Sequence, residues 1–173
     1  MVKEKMVAID ARMIKMSGIG VYIQHLVKAG IYNIALGRTD EIEEYDNNLN
    51  ILKYDAKIYG IKEQLKFPYR KLRKLKPDIL HIPHYNVPIF YRGKMVVTIH
   101  DLTHLVLPEI LPNKFAYLYA RVMLWFATHK AEKIFTVSEN TKNDIIKYYK
   151  VKPEKIIVTY NGVDLSNFKK EEK

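Results

Sequence analysis

Three observations predict that this chain folds as an α/β protein with a Rossmann-like, doubly wound parallel sheet. Short, continuously apolar runs recur along the sequence. Segments with helical periodicity separate them. Glycine, histidine, aspartate or asparagine follows most of the runs. Continuous rather than alternating apolar strands are buried on both faces, as in a parallel sheet covered by crossover helices.

The elements follow in order. Met6 to Asp10 reads as a buried first strand ending in an acid. After Ser17-Gly18-Ile19-Gly20, the spacing of Val21, Ile23, Leu26 and Val27 suits a helix. Asn33 to Leu36, closed by Gly37, is a second strand, and Leu49 to Lys53 alternates as a more exposed third. Leu65 to Leu75 is helical in pattern, begun or kinked near Pro68 and stopped before Pro77. Asp78 to Ile82 and Met95 to Ile99 are buried strands. Phe115 to His129 is a long helix whose aromatic residues are expected to pack in the core and at a domain interface. Lys133 to Val137 is another strand, Ser138 caps a helix to about Tyr149, and Lys155 to Tyr160 is the last strand.

Composition narrows the class of protein. At 173 residues with 48% hydrophobic content, the chain suits one domain with a substantial core. No apolar run approaches the roughly 20 residues of a membrane-spanning helix, and no signal peptide is expected at Met1. With no cysteine, disulfides and thiolate metal sites are excluded, and a cytoplasmic location is expected. The net charge of +10 is concentrated. Seven basic residues between Ile61 and Lys76 face only Glu63, a local net of +6. Such a cluster is either a solvated helix face or an attractor of phosphate.

In a doubly wound sheet the loops at the carboxyl ends of the strands carry the chemistry. Here those loops contain Gly18 and Gly20, then His81, His84, Tyr85 and Asn86, then His100, Asp101 and His104, then Ser138 and Asn140, and finally Asn161-Gly162-Val163-Asp164. Gly18-Ile19-Gly20 lets backbone approach a ligand and opens a helix whose amides face any phosphate there, or else it only starts the helix. A dinucleotide fingerprint fails because Ile23 stands where its third glycine belongs. The pairs His81/His84 and His100/His104 have tolerable metal-ligand spacing but lack an accompanying carboxylate cluster, so no metal is expected. His100, ending a buried strand, fits a group aimed into a cleft, with Asp101 fixing its tautomer or capping the next turn. His104 and His129 read as surface or packing residues.

Five blocks together resemble the N-terminal domain of glycosyltransferases of the GT-B fold, family 4, a group that includes mannosyltransferases of polysaccharide assembly. They are Ser17 to Tyr22, Glu63 to Pro83, Val96 to Leu102 with Pro108-Glu109, Ala131 to Lys142, and Pro153 to Asp164. The resemblance implies retaining transfer of a sugar from a nucleotide-diphosphate donor to a glycan or lipid-linked acceptor. It implies that Gly18, Ile19 and Gly20 lie against the donor, and that His100, with Asp101, acts at the reacting centre. It places Tyr85, Asn86 and Ser138 on the acceptor side. Such enzymes use helix dipoles and basic side chains, without a metal or other cofactor, to stabilise the leaving diphosphate.

The resemblance also implies a division of labour. Residues 1–160 form the acceptor-side domain, and 161–173 begin a linker to a C-terminal donor domain that this sequence does not contain, so the chain alone should be inactive. The alternative reading is a non-catalytic Rossmann-like module that docks through Ile61 to Lys76 on an anionic membrane or a partner protein. Phe67, Tyr69, Leu72 and Leu75, interleaved with the charges, suit a membrane interface at the inner face better than base stacking. No nucleic-acid motif is present.

Overall fold

A computed structural model describes residues 5–107, 109 and 111–162. The parts of the sequence blocks at Pro108, Val163 and Asp164, and the linker from residue 163 onward, lie outside the described residues. Seven strands, all parallel, form one sheet: β1 (Val7–Asp10), β2 (Ile34–Gly37), β3 (Asn50–Lys53), β4 (Ile79–Ile82), β5 (Met95–Ile99), β6 (Lys133–Thr136) and β7 (Ile156–Val158). Their spatial order is β3-β2-β1-β4-β5-β6-β7. The chain winds outward from β1 in one direction, returns, and winds outward in the other. The expected doubly wound parallel sheet is what the chain forms.

Alternation along each strand divides the core in two. Ala8, Ile34, Leu36, Leu52, Leu80, Val97, Ile134 and Ile156 point to one face, whose cluster extends across all seven strands. Helices α3 (Ile61–Lys66), α4 (Tyr69–Leu75), α6 (Lys114–Lys130) and α7 (Glu139–Tyr149) lie on this side, contributing Leu72, Met123, Leu124, Ala127 and Ile145 among others. Ile9, Ala35 and Ile51 point to the other face, under α1 (Ile19–Lys28) and α2 (Thr39–Glu43). That second cover extends over β1–β3. Along β4–β7 the α1 side is only partly covered: Val96 and Phe135 are half-buried and Ile157 is exposed.

Several elements differ from the sequence expectation for identifiable reasons. The basic segment is two helices, because Phe67 precedes a proline and takes an extended conformation (φ −57°, ψ 135°) that ends α3 before Pro68 caps α4. The interleaved apolar residues also turn inward. Phe67 and Leu72 are buried in the large core cluster, with Tyr69 and Leu75 packed against it, leaving the basic side chains outside. Two single-turn helices, α2 and α5 (Thr103–Val106), are too short to carry a periodic signal. Helix α6 divides its apolar residues: Met123 and Leu124 are core, whereas Phe115 and Trp125 are exposed.

Candidate active site

The winding direction reverses between β1 and β4, so the loops leaving their carboxyl ends part and open a crevice. A buried ionic cluster lies at the carboxyl end of β1. Asp10 and Glu63 are 0% and 2% exposed, and the Arg12 guanidinium joins them. Arg12 Nε and Nη2 donate to the two Asp10 oxygens at 2.9 and 2.6 Å, and Nη2 donates to Glu63 Oε1 at 2.7 Å. The Tyr54 ring lies 4.1 Å from the guanidinium carbon. Glu63 Oε2 accepts from the Tyr59 amide and from Asn86 Nδ2, and Asn86 Oδ1 accepts from Tyr119 Oη at 2.7 Å. Thus β1, α3, the loop after β4 and α6 are tied at one point.

Charge and burial oppose each other in this cluster. Burial alone would raise the pKa of Asp10, but the Arg12 charge and hydrogen bonds from His84 and Arg12 outweigh it and hold the carboxyl well below the carboxylate range. Burial wins at Glu63 and pushes its pKa up, only partly offset by Arg12. His84 Nδ1 accepts the Asn86 amide at 3.1 Å, so in the neutral ring the proton sits on Nε2, 3.3 Å from Asp10.

His100 sits half-buried at the end of β5. Its Nε2 donates to the Pro83 carbonyl at 3.2 Å, which leaves Nδ1 of the neutral ring as an acceptor. Burial lowers the His100 pKa and favours that neutral form. The Tyr22 ring meets the imidazole edge-on at 5.0 Å. The His100 carbonyl accepts from Thr141 Oγ1 at 3.0 Å, and Thr141 is also bound to Ser138, the N-cap of α7. His100 and the capped start of α7 are therefore one assembly.

The other expected site residues are placed as follows. The Asp101 carboxylate accepts the Thr103 amide at 2.9 Å and caps the next turn, while Pro83 rather than Asp101 sets the His100 tautomer. Gly18 caps α1 at φ +53°, a left-handed value that suits glycine, and has open space where a Cβ would stand. Ile19 is half-buried against the smaller core cluster. Gly20 is buried: a Cβ there would come within 2.7 Å of the Ile14 carbonyl oxygen, so it lets α1 pack on its own entry loop. Tyr85 is half-buried, its ring 5.8 Å from Tyr59 and 5.9 Å from His104. Asn86 is buried, with both ends of its amide engaged by Glu63 and Tyr119. Gly18 thus faces open space, whereas Gly20 and Asn86 face inward.

Sequence reasoning missed Arg12 and Glu63. A buried acid at the end of a first strand demands a cationic partner, and Asp10 gave that signal without saying which residue answers it. It also missed the chain behind His100. Tyr32 Oη bonds His81 Nδ1 at 2.7 Å, His81 Nε2 bonds Thr98 Oγ1 at 2.8 Å, and Thr98 meets Tyr22 Oη at 3.2 Å. Burial pushes the His81 pKa down to about 4 from an ordinary 6.5, helped by His84 and His100. The unfolded chain therefore binds a proton that the folded one refuses. Stability contributed here is full above pH 6.5 and falls as the pH drops toward 4, by on the order of 3 kcal/mol. Urea unfolding between these pH values should show this slope in the wild type and lose it in His81→Gln; equal slopes would remove the assignment.

Beside the crevice, a cavity of about 820 Å³ opens on the partly covered face of the sheet, between α1 and β4–β6. Tyr22, His25, His81, Val96 and Phe135 line it, with Gly18 and Thr159 to Gly162 at its margin. Among the described residues no group of three or more His, Asp or Glu side chains is arranged to hold a metal, and no helix is long and apolar enough to cross a membrane.

Known proteins share this fold. The family described as Glycosyltransferase Family 4 matches residues 16–167. The O-antigen chain mannosyltransferase RfbU of Salmonella typhimurium is 33% identical over 85 residues, which are 49% of this chain and 23% of that protein. The solved structure of Anabaena HepE in complex with UDP and glucose has a TM-score of 0.63 at 17% identity, covering 94% of this chain and 46% of that one. The apo lipopolysaccharide outer core galactosyltransferase WaaB has a TM-score of 0.61 at 15% identity, covering 98% and 50%. The chain spans about a quarter of RfbU and about half of the solved structures. On the family match over most of its length, the chain belongs to glycosyltransferase family 4.

Proposed function

We propose that this chain is the N-terminal, acceptor-side domain of a retaining glycosyltransferase. It acts with a C-terminal domain, in cis or in trans, and moves a sugar from a nucleotide-diphosphate donor to a glycan or lipid-linked acceptor. The observation that carries this reading is His100: a neutral imidazole at a strand end, its Nε2 proton committed to Pro83 and its Nδ1 free to accept from a sugar hydroxyl. HepE, of the same fold, was solved with UDP, with UDP and glucose, and with UDP-glucose, which supports a nucleotide-sugar donor. RfbU, a mannosyltransferase of O-antigen chains, supports a role in polysaccharide assembly.

In this reading Gly18 and Ile19 form the donor side at the N-terminus of α1, which has no side-chain cap and favours phosphate there, while Gly20 lets the helix start pack close on its entry loop. The start of α7 at Ser138 and the loop carrying Tyr85 border the acceptor, with Asn86 setting that loop from behind. The leaving diphosphate is stabilised by helix dipole and by basic side chains of the second domain, with no metal. His81 is bonded through both ring nitrogens, to Tyr32 and Thr98, which supports that assignment.

The test is to supply a family 4 C-terminal domain, fused or separate, and to measure transfer from labelled nucleotide sugars with the product anomer read by NMR. Transfer with retained configuration, absent from either half alone, is expected. A joined protein that binds a nucleotide sugar but inverts the anomer would remove the retaining mechanism. One that binds no nucleotide sugar would remove the donor-sharing role.

A further inference from the structure

Helix α6 carries its apolar residues on two opposite sides. Ala120, Met123, Leu124 and Ala127 face the sheet and are buried. Phe115, Leu118, Val122 and Trp125, spaced by three, four and three residues, lie on the opposite side at 84%, 58%, 42% and 48% exposure. At about 100° per residue these four fall within roughly one quarter of the helix surface, and at about 1.5 Å per residue they form a stripe about 15 Å long. The core is already complete without them.

The stretch of chain from α3 through α6 is strongly basic. From Lys62 to Lys130 the chain has twelve Lys and Arg residues, all at exposed positions, against four acids. One of those acids, Glu63, is buried in the Arg12 cluster. The apolar side chains interleaved with the charges of α3 and α4 are in the core, so that segment by itself offers charge and little else apart from exposed Leu65. The stripe on α6 supplies what it lacks.

We propose that the α6 stripe is a membrane-docking face: Phe115, Leu118, Val122 and Trp125 enter the interface of an anionic lipid bilayer while the surrounding Lys and Arg residues bind its headgroups. Charge complementarity selects this occupant. A second copy set on the same stripe would bring two basic surfaces together, whereas an anionic bilayer answers both the apolar stripe and its charge. Tryptophan and phenylalanine flanked by basic residues suit the headgroup boundary, where an apolar ring and a wet edge are both accommodated.

Trp125 is the single tryptophan of the chain, so its fluorescence reports this face alone. The 173-residue protein should co-sediment with phosphatidylcholine vesicles rich in phosphatidylglycerol far more than with phosphatidylcholine alone, and added salt should weaken binding. Trp125 emission should move to shorter wavelength and be quenched by brominated acyl chains. A Phe115→Ser/Leu118→Ser variant should keep its melting temperature yet partition at least about tenfold more weakly. Undiminished binding by that variant with unmoved Trp125 emission would overturn the proposal in favour of the α3–α4 charges. Emission already at short wavelength without lipid, moving to longer wavelength on dilution, would overturn it in favour of self-association. No binding at low ionic strength would also overturn it.

Discussion

Arg12→Leu should lose about 3–5 kcal/mol of folding stability, enough to unfold many domains of this size. Two effects compete in that substitution. Leucine restores part of the packing against Tyr54, a matter of about 1–2 kcal/mol. Against it stands the cost of leaving Asp10 and Glu63, both almost without solvent exposure, as unpaired like charges around one site. The charge effect is the larger, so the loss should be mostly reversible by removing the orphaned charges. Arg12→Leu combined with Asp10→Asn and Glu63→Gln should recover more than half of it. Arg12→Lys should fall between, because one ammonium cannot reproduce a fork that reaches both Asp10 oxygens and Glu63. Urea unfolding followed by circular dichroism measures all four proteins. A loss below about 1 kcal/mol in Arg12→Leu would show that the cluster is solvated in solution.

His100→Ala in the joined, two-domain enzyme should reduce sugar transfer about 100-fold or more, with donor affinity changed little. The alanine removes His100 Nδ1, an acceptor whose ring is held in a fixed tautomer by Pro83. His100→Gln, which keeps a side-chain acceptor, should retain part of the rate. The pH profile carries the sign of the lowered pKa: the working form is unprotonated, and burial keeps it so as the pH falls through the ordinary histidine value of 6.5. Transfer should therefore persist below that pH and decline only in more acid solution. Full activity in His100→Ala, with the fold checked by circular dichroism, would assign the chemistry elsewhere.

The fold was legible because the sheet's own requirements are written locally. Continuous apolar runs of β-branched residues such as Met95 to Ile99 read as strands of a covered parallel sheet, and Ser138 three residues before Thr141 marks a helix start. The strand-end position of His100 was legible for the same reason. The roles of Gly20, Glu63 and Asn86 were not, because each depends on how the folded chain packs rather than on a local pattern. Gly20 lies under the Ile14 carbonyl, Glu63 answers Arg12 fifty-one positions away, and Asn86 binds Tyr119 on α6. The interleaved aromatics of α3 and α4 point to a wet or lipid surface by sequence and to the core by structure. Their pattern fixes a period, while the direction of the apolar side comes only from packing into the large core cluster.

The partial cover on the α1 side also grades the sheet from its centre to one edge. Around β1 and β2 the strands have close-packed side chains above and below them. At β7, a three-residue strand hydrogen-bonded only to β6, Ile157 is exposed on one side. Opening there breaks few contacts, so backbone amides of β6 and β7 should exchange with solvent through local fluctuations, and those of β1 only when the whole domain unfolds. This thinly covered edge strand leads directly into Asn161 and Gly162, so an edge of the sheet that yields easily lies immediately before them.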